Sequence, residues 1–357
     1  MTVFQPRGDG MKHSIHPGVL VALAAAALFG AGAPLAKPLL TYTGPWLLAG
    51  LLYLGSGIGL WLARLVRRPP AARLSGADRG WLAGAIVCGG VIGPVLLLTG
   101  LAAMPASGVS LLLNAEGVLT ALLAWFVFGE NVDHRVALGM AAIVAGVAVL
   151  GWPSEAHFAG VWPTLAVLGA CLAWALDNNL TRKVSLADAG FIAMTKGLVA
   201  GGVNLALALA TGATWPEPAV VVAASLLGFA SYGASLVLFV IGLRHLGTAR
   251  TSAYFSVAPF FGATLAIVLL DEPISARLAL ASGLMALGVW LHITERHEHI
   301  HVHEAMEHEH VHLHDTHHQH PHDGPVAPGT CHSHLHQHAP LVHSHPHYPD
   351  AHHRHQH

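Results

Sequence analysis

The chain has 357 residues, of which 54% are hydrophobic and only 10% charged, with a mean hydropathy of +0.55. An average soluble domain carries about 25% charged residues, so this composition excludes a water-soluble globule and points to many membrane-spanning helices. The formal net charge of -2 averages over membrane, loops and tail and selects no partner. The three cysteines, Cys88, Cys171 and Cys331, are too few and too scattered for a disulfide framework, and no CxxC pair exists.

After a polar N-terminus (1–16), apolar stretches able to cross about 30 Å of hydrocarbon recur through the chain. They lie near 17–36, 45–63, 81–102, 107–128, 136–152, 160–180, 189–210, 219–243, 248–270 and 276–293. The count is ten. The first stretch has features of a signal peptide, since Lys12 precedes it and Ala31-Gly32-Ala33 resembles a cleavage site. It is read instead as a permanent helix, because the internal repeat described below requires it.

Positive charge sets the predicted orientation. The loop after the second stretch holds Arg64, Arg67, Arg68, Arg73 and Arg79, which makes it cytoplasmic. Alternation from there puts 14 of the 17 basic residues inside, with only Lys37 and Arg277 outside and Lys196 within a helix. Both termini are then cytoplasmic. The expected location is the plasma membrane (a bacterial inner membrane), with multiple passes.

The segment GLAAMPASGVSLLLNAEGVLTALLAWFVFGENVDHRVALGMAAIVAGVAVL (100–150) repeats as GLRHLGTARTSAYFSVAPFFGATLAIVLLDEPISARLALASGLMALGVWL (242–291). The offset of 142 holds without a gap through Glu130/Glu272, Arg135/Arg277, Leu138/Leu280 and Gly146/Gly288. The first and sixth stretches match less well at an offset of 145, pairing Phe29 with Trp174 and Lys37 with Arg182. Each unit holds five helices. Five is odd, so the second copy crosses the membrane upside down, as in many secondary transporters with a midplane site exposed alternately to each side. A duplicated scaffold without transport is the plainer alternative.

Two five-helix units, each with an acidic turn after its fourth helix (FGENVDHRVALG and LDEPISARLALA), resemble the EamA family of the drug/metabolite transporter superfamily. The resemblance covers about residues 17–293 and leaves the tail out. It implies a central cavity enclosed by helices 1–4 and 6–9, with helices 5 and 10 peripheral, and export or exchange of small solutes. The fold expected is an all-α integral membrane protein of ten transmembrane helices, two inverted five-helix repeats at 17–152 and 153–293, followed by a disordered His-rich tail at 294–357.

An ionisable group inside a bilayer costs on the order of 3 kcal/mol, so each needs a reason. Glu116, in SLLLNAEGVLTALLAW, lies close to the predicted midplane, with Asn114 before it and Gly117 after it. A carboxylate there could exchange a proton or bind a cation. It could also be structural, paired with Lys196 or held by hydroxyls. Its repeat partner is Ala258, so the chemistry exists in one half only. Lys196 could pair with Glu116 or Asp177; the favoured reading is that it snorkels to the inner interface. Asp177, Asn178 and Asn179 close the sixth helix at consecutive positions, pointing in different directions as a cavity mouth or as a capped polar helix end. Glu130 and Glu272 read as turn geometry, with Arg135 and Arg277 in the same loops as candidate partners. Ser231, Tyr232, Ser235, Tyr254 and Ser256 supply hydroxyls that line a cavity or make packing contacts.

Residues 294–357 hold 23 of the 29 histidines, a sharp boundary that separates a membrane body from a polar tail. HEHIHVHEAMEHEHVHLH (297–314) alternates histidine with Glu, Val, Ile and Leu, unlike the unbroken run of a purification tag. Imidazole suits Zn, Ni, Co and Cu(II), and most of these side chains are neutral near pH 7 and free to coordinate. The candidate ligands are His297, His299, His301, His303, His308, His310, His312, His314, His332, His334 and His336. Repeated prolines exclude one long helix. The tail then holds several divalent transition-metal ions at modest affinity, either as a feed to a metal exporter or as a passive buffer.

No Walker A run, Rossmann glycine pattern or HExxH occurs, which argues against an enzyme or an ATP-driven pump. No cofactor is required. The partners expected are the lipid bilayer and a small-molecule or metal-ion substrate, with no nucleic acid; a homodimer is compatible with such a body. The favoured function is efflux of Ni, Co or Zn. The runner-up is export of small organic metabolites, amino-acid or drug-like, and a membrane-anchored metal sensor or store comes last.

Overall fold

The computed structural model describes residues 17–67, 76–128, 134–151, 161–182, 184, 188–246, 251, 254–293, 298–303, 306–312, 332–338 and 341–346. The chain forms two units, residues 1–295 and 296–357. The described part of the first is all-α. In hydrocarbon each backbone N–H and C=O must be satisfied within the protein, and the helix does this segment by segment.

Among the described residues ten helical stretches follow the ten apolar ones, the ninth of them beginning only at Ala258. They are α1 (Pro17–Gly30 continuing as Gly32–Leu39), α2 (Pro45–Arg67), α3 (Gly76–Ala85, Ile86–Ile92 and Gly93–Ala103) and α4 (Ala106–Leu112 with Asn114–Phe128). Next come α5 (His134–Gly151), α6 (Trp162–Arg182), α7 (Ala189–Ala210) and α8 (Pro218–Gly228, Phe229–Ala234 and Ser235–Leu246). The last are α9 (Ala258–Leu270) and α10 (Ala276–Ile293). Proline opens α1, α2 and α8, where its missing N–H costs nothing. The turn after α7 uses Gly212 at φ +87°, a conformation that a side chain resists.

The packing has the symmetry of an inverted duplication. α2 packs on α7, α4 on α9 and α5 on α10, while α1 lies against α8 and α9, and α6 against α3 and α4. Exchanging the two halves maps this set of contacts onto itself. Small residues allow the close approaches, as expected where lipid supplies no hydrophobic drive between helices. A Cβ on Gly197 of α7 would stand 2.7 Å from the Gly57 nitrogen of α2. A Cβ on Gly50 of α2 would stand 2.8 Å from the Leu205 nitrogen of α7. The main core joins α2, α3, α4 and α6 through Leu47, Leu48, Leu98, Leu112 and Val167, each at most 1% exposed. α5 and α10 close on α4 through a smaller cluster of Val118, Met140, Ile143 and Val289.

The α3–α4 turn shows how the helix ends are satisfied. Pro105 precedes α4 and offers no side-chain cap. The Glu272 carboxylate, from the turn between α9 and α10, accepts from the Ala106 N–H at 2.6 Å and the Ser107 N–H at 2.9 Å. On the other side of the turn, Lys37 of α1 donates to the carbonyls of Leu101, Ala102 (3.3 Å) and Met104 (2.9 Å). A carboxylate thus meets the positive end of one helix and an ammonium the negative end of another. Glu272 is structural in this arrangement, and its partners are backbone amides of the opposite repeat. Glu130 lies outside the described residues.

In the second unit the described residues form strands. They are β1 (Glu298–His303), β2 (Met306–His312), β3 (His332–His338) and β4 (Leu341–Pro346). β1 pairs with β4 and β2 with β3, both antiparallel. The period-two alternation with Val, Ile and Leu suits extended backbone. The prolines fall between strands or at a strand end, where they break no ladder. The registers set His299 opposite His345, His301 opposite His343, and His308, His310 and His312 opposite His336, His334 and His332.

The cap at the α3–α4 turn yields a prediction. Glu272→Ala strips two charge-assisted hydrogen bonds from α4 and should cost about 1–2 kcal/mol. Thermal unfolding of the purified protein in detergent should fall by a few degrees, and an unchanged midpoint would show that the cap is dispensable.

Candidate functional site

Helices α3 and α8 each contain a π-helical segment, Ile86–Ile92 (IVCGGVI) and Phe229–Ala234 (FASYGA). The two overlap at the repeat offset, since Ser231 stands 142 positions after Gly89 and Tyr232 the same distance after Gly90. A π-helical turn widens the helix and disturbs the regular i→i−4 ladder, and such turns concentrate at functional sites. In α3 the Gly89 carbonyl accepts from the Tyr53 hydroxyl of α2 at 2.8 Å and from the Trp174 indole N–H of α6 at 2.9 Å. The Gly90 carbonyl accepts from the Asn204 amide of α7 at 2.8 Å. In α8 the segment is held by rings. Tyr232 lies 6.1 Å from Phe29 edge-on and 5.4 Å from Tyr53, centroid to centroid. Phe29 and Trp174, repeat partners at the 145 offset, therefore each meet the π-helical segment of the opposite half.

The polar groups of α6 divide in three directions. Asp177 is buried and accepts from the Lys196 ammonium of α7 at 2.6 Å through both oxygens, and from the Thr181 hydroxyl at 2.8 Å. Lys196 therefore pairs with Asp177, contrary to the expectation that it snorkels. Reaching the interface would leave a buried carboxylate uncompensated, whereas α6 and α7 bring the two charges together within the protein. Asn179 turns back to the Ala175 carbonyl at 2.8 Å.

Asn178 turns toward α4. Its amide donates to Glu116 Oε1 at 2.9 Å and stands 3.4 Å from the Thr120 hydroxyl. Glu116 is half-buried, and Asn178 and Gly117 are exposed. Asn178 lies one helical turn from buried Trp174 and about 200° round from Leu176, a leucine of the outer stripe shared with Leu165 and Leu172. The Glu116–Asn178 pair thus joins α4 to the face of α6 that is turned away from its outer leucines. A Cβ on Gly117 would meet nothing within 4 Å, so no helix approaches at that position. Among the described residues Glu116 has no ion-pair partner, because the nearby ammonium is committed to Asp177.

The other candidates are placed as follows. Asn114 points away from Glu116, donating to the Leu111 carbonyl at 2.9 Å beside Met285 of α10. Ser231 is 1% exposed and its hydroxyl has no hydrogen-bond partner among the described residues. Ser235 donates to the Ala25 carbonyl at 2.8 Å, tying α8 to α1. Tyr254 and Ser256 are half-buried just before α9. Of the tail ligands, His299, His301, His303, His308, His310, His312, His332, His334 and His336 lie on strands, and His297 and His314 lie outside the described residues. No group of three or more His, Cys, Asp or Glu able to hold a metal ion occurs among the described residues. Tyr53, Trp174 and Asn204 were not expected. Asn204, alone among apolar residues in GGVNLALAL, carried the signal, as did the CGG and SYGA runs at matched offsets.

This architecture has known counterparts. A solved protein crystal structure superposes with a TM-score of 0.59 at 20% identity, over 78% of this chain and 96% of its own, which establishes a shared fold. An uncharacterized transporter of Methanothermobacter thermautotrophicus is 29% identical over 294 residues, covering 77% of this chain and 85% of that protein. The EamA-like transporter family matches twice, at residues 16–152 and 161–294. With both halves matched in tandem over well more than half its length, the chain belongs to the EamA-like transporter family.

Proposed function

We propose that this chain is a secondary-active exporter of the plasma membrane in which Glu116 exchanges a proton against cargo. One observation carries the reading. Glu116 is a half-buried carboxylate between α4 and α6, held by a neutral amide and by no cation among the described residues. A carboxylate so placed gains from binding a proton or a cationic group, and releases it when the surroundings change. Asp177, by contrast, has a permanent counter-ion in Lys196 and serves to hold α6 against α7.

The cargo that best suits these groups is a small organic solute. The centre offers aromatic faces from Phe29, Tyr53 and Tyr232, and one carboxylate with no counter-ion among the described residues. A borderline divalent ion needs several donors at once. Metal efflux is the second reading, favoured by the density of imidazoles in the tail and by the cross-strand histidine registers. In the first reading the tail buffers metal; in the second it feeds the transporter.

Three experiments test these points. In proteoliposomes carrying a pH-sensitive dye, wild type should move protons when an organic solute such as an amino acid is added. Glu116→Gln keeps the shape, removes the titration and should abolish that signal. A Gln variant that moves protons and cargo as well as wild type makes Glu116 a structural carboxylate. Proton movement evoked by Ni, Co or Zn would establish the metal reading.

Removing residues 297–357 should lower the number of metal ions bound and leave organic transport at the wild-type rate. A truncated protein that needs more cytosolic metal for the same flux would instead assign the tail a feeding role. For orientation, a reporter fused after His357 should be active only in its cytoplasmic form, and a periplasmic signal would reverse the topology.

A further inference from the structure

At the end of the bundle that carries Arg64 and Arg67, α2, α7 and α8 separate around a groove of about 220 Å³. Its walls are apolar, formed chiefly by Leu60, Ala193, Leu236 and Val240. Its mouth is charged. Arg64 bonds Asp188 at 2.7 Å and lies 5.8 Å from the Phe191 ring centroid, while Asp188 also caps α7 by accepting from the Phe191 N–H at 2.6 Å. Arg64 is therefore fixed and its charge balanced. Arg67, one turn further on, is exposed at the last position of α2 and lines the same groove. Among the described residues the mouth sets two guanidinium groups against one carboxylate, one positive charge in excess.

We infer that this groove is a binding site for an anionic phospholipid. The apolar depth accepts part of an acyl chain, and the excess charge at the mouth takes the phosphate at the level of the headgroups. Basic pockets between membrane helices select anionic headgroups in this way. Guanidinium suits the task because its planar donors pair with phosphate oxygens in a defined geometry. A zwitterionic lipid offers the same chain and no net charge, so the mouth discriminates by sign. Asp188 sharpens this role by holding Arg64 in place at the rim and leaving Arg67 to meet the headgroup. The site lies apart from Glu116 and does not depend on which cargo is carried.

The test uses the full-length protein purified in neutral detergent, with phosphatidylglycerol and phosphatidylcholine as probes. Native mass spectrometry and thermal unfolding should both show retention of phosphatidylglycerol and stabilisation by it, with little of either from phosphatidylcholine. Arg67→Gln should weaken phosphatidylglycerol binding roughly five-fold, the effect of one basic residue near a membrane surface. Ala193→Phe, which fills the groove and leaves the charges, should also lose the lipid, and circular dichroism checks that it folds. Glu116→Gln should bind lipid as wild type does, which separates this inference from the proton-exchange reading. Equal retention of the two lipids, an unaffected Arg67→Gln protein, or equal stabilisation by inorganic phosphate would each overturn the proposal.

Discussion

One backbone carbonyl, that of Gly89, sets where three helices stand. It accepts from Tyr53 of α2 and Trp174 of α6 while belonging to α3. The π-helical turn is the reason these donors matter. A carbonyl displaced from the regular ladder inside hydrocarbon costs several kcal/mol unless a donor reaches it. Tyr53 and Trp174 are large apolar residues that each carry one polar atom, so they fill the space between helices and satisfy the carbonyl together. Asn204 does the same for Gly90 from α7. Four helices are thereby keyed to one irregular turn, and the position of α6 fixes both Asp177 and Asn178, which leave it on adjacent residues.

The division of labour between those adjacent residues explains why the centre holds charge at all. Asp177 and Lys196 neutralise each other with both carboxylate oxygens engaged. Asn178, about 100° further round α6, carries no charge and can only donate to Glu116 or accept from elsewhere. A cation in its place would hold the carboxylate ionised. An amide orients it and leaves its protonation free to respond to the surroundings.

Much of this was legible in the sequence, because the bilayer imposes a strong one-dimensional signal. Ten apolar stretches and a gapless 142-residue offset prescribe ten helices in two inverted halves, and the helices observed follow them closely. The importance of polar residues in α6 was also readable, since Asp, Asn and Asn in a membrane helix demand partners. Which partner each takes was not. Lys196 could face either acid, and the choice turns on the rotation of α7 about its axis, set by glycine contacts such as Gly197 on Gly57. The π-helical turns were hidden because what holds them, donors at α3 and rings at α8, lies on other helices.

The two halves share a fold but differ in their polar chemistry, and this has an energetic consequence. In an inverted duplication, swapping the conformations of the halves turns a molecule open to one side into one open to the other. Identical halves would make those two forms equal in energy. Here Glu116 corresponds to Ala258, and Gly89 with its two donors corresponds to Ser231, whose hydroxyl has no partner among the described residues. Swapping conformations would not exchange these side chains, so two such forms would differ in energy and the unloaded protein would rest in the lower one. The bias is written in the side chains that the duplication did not keep alike.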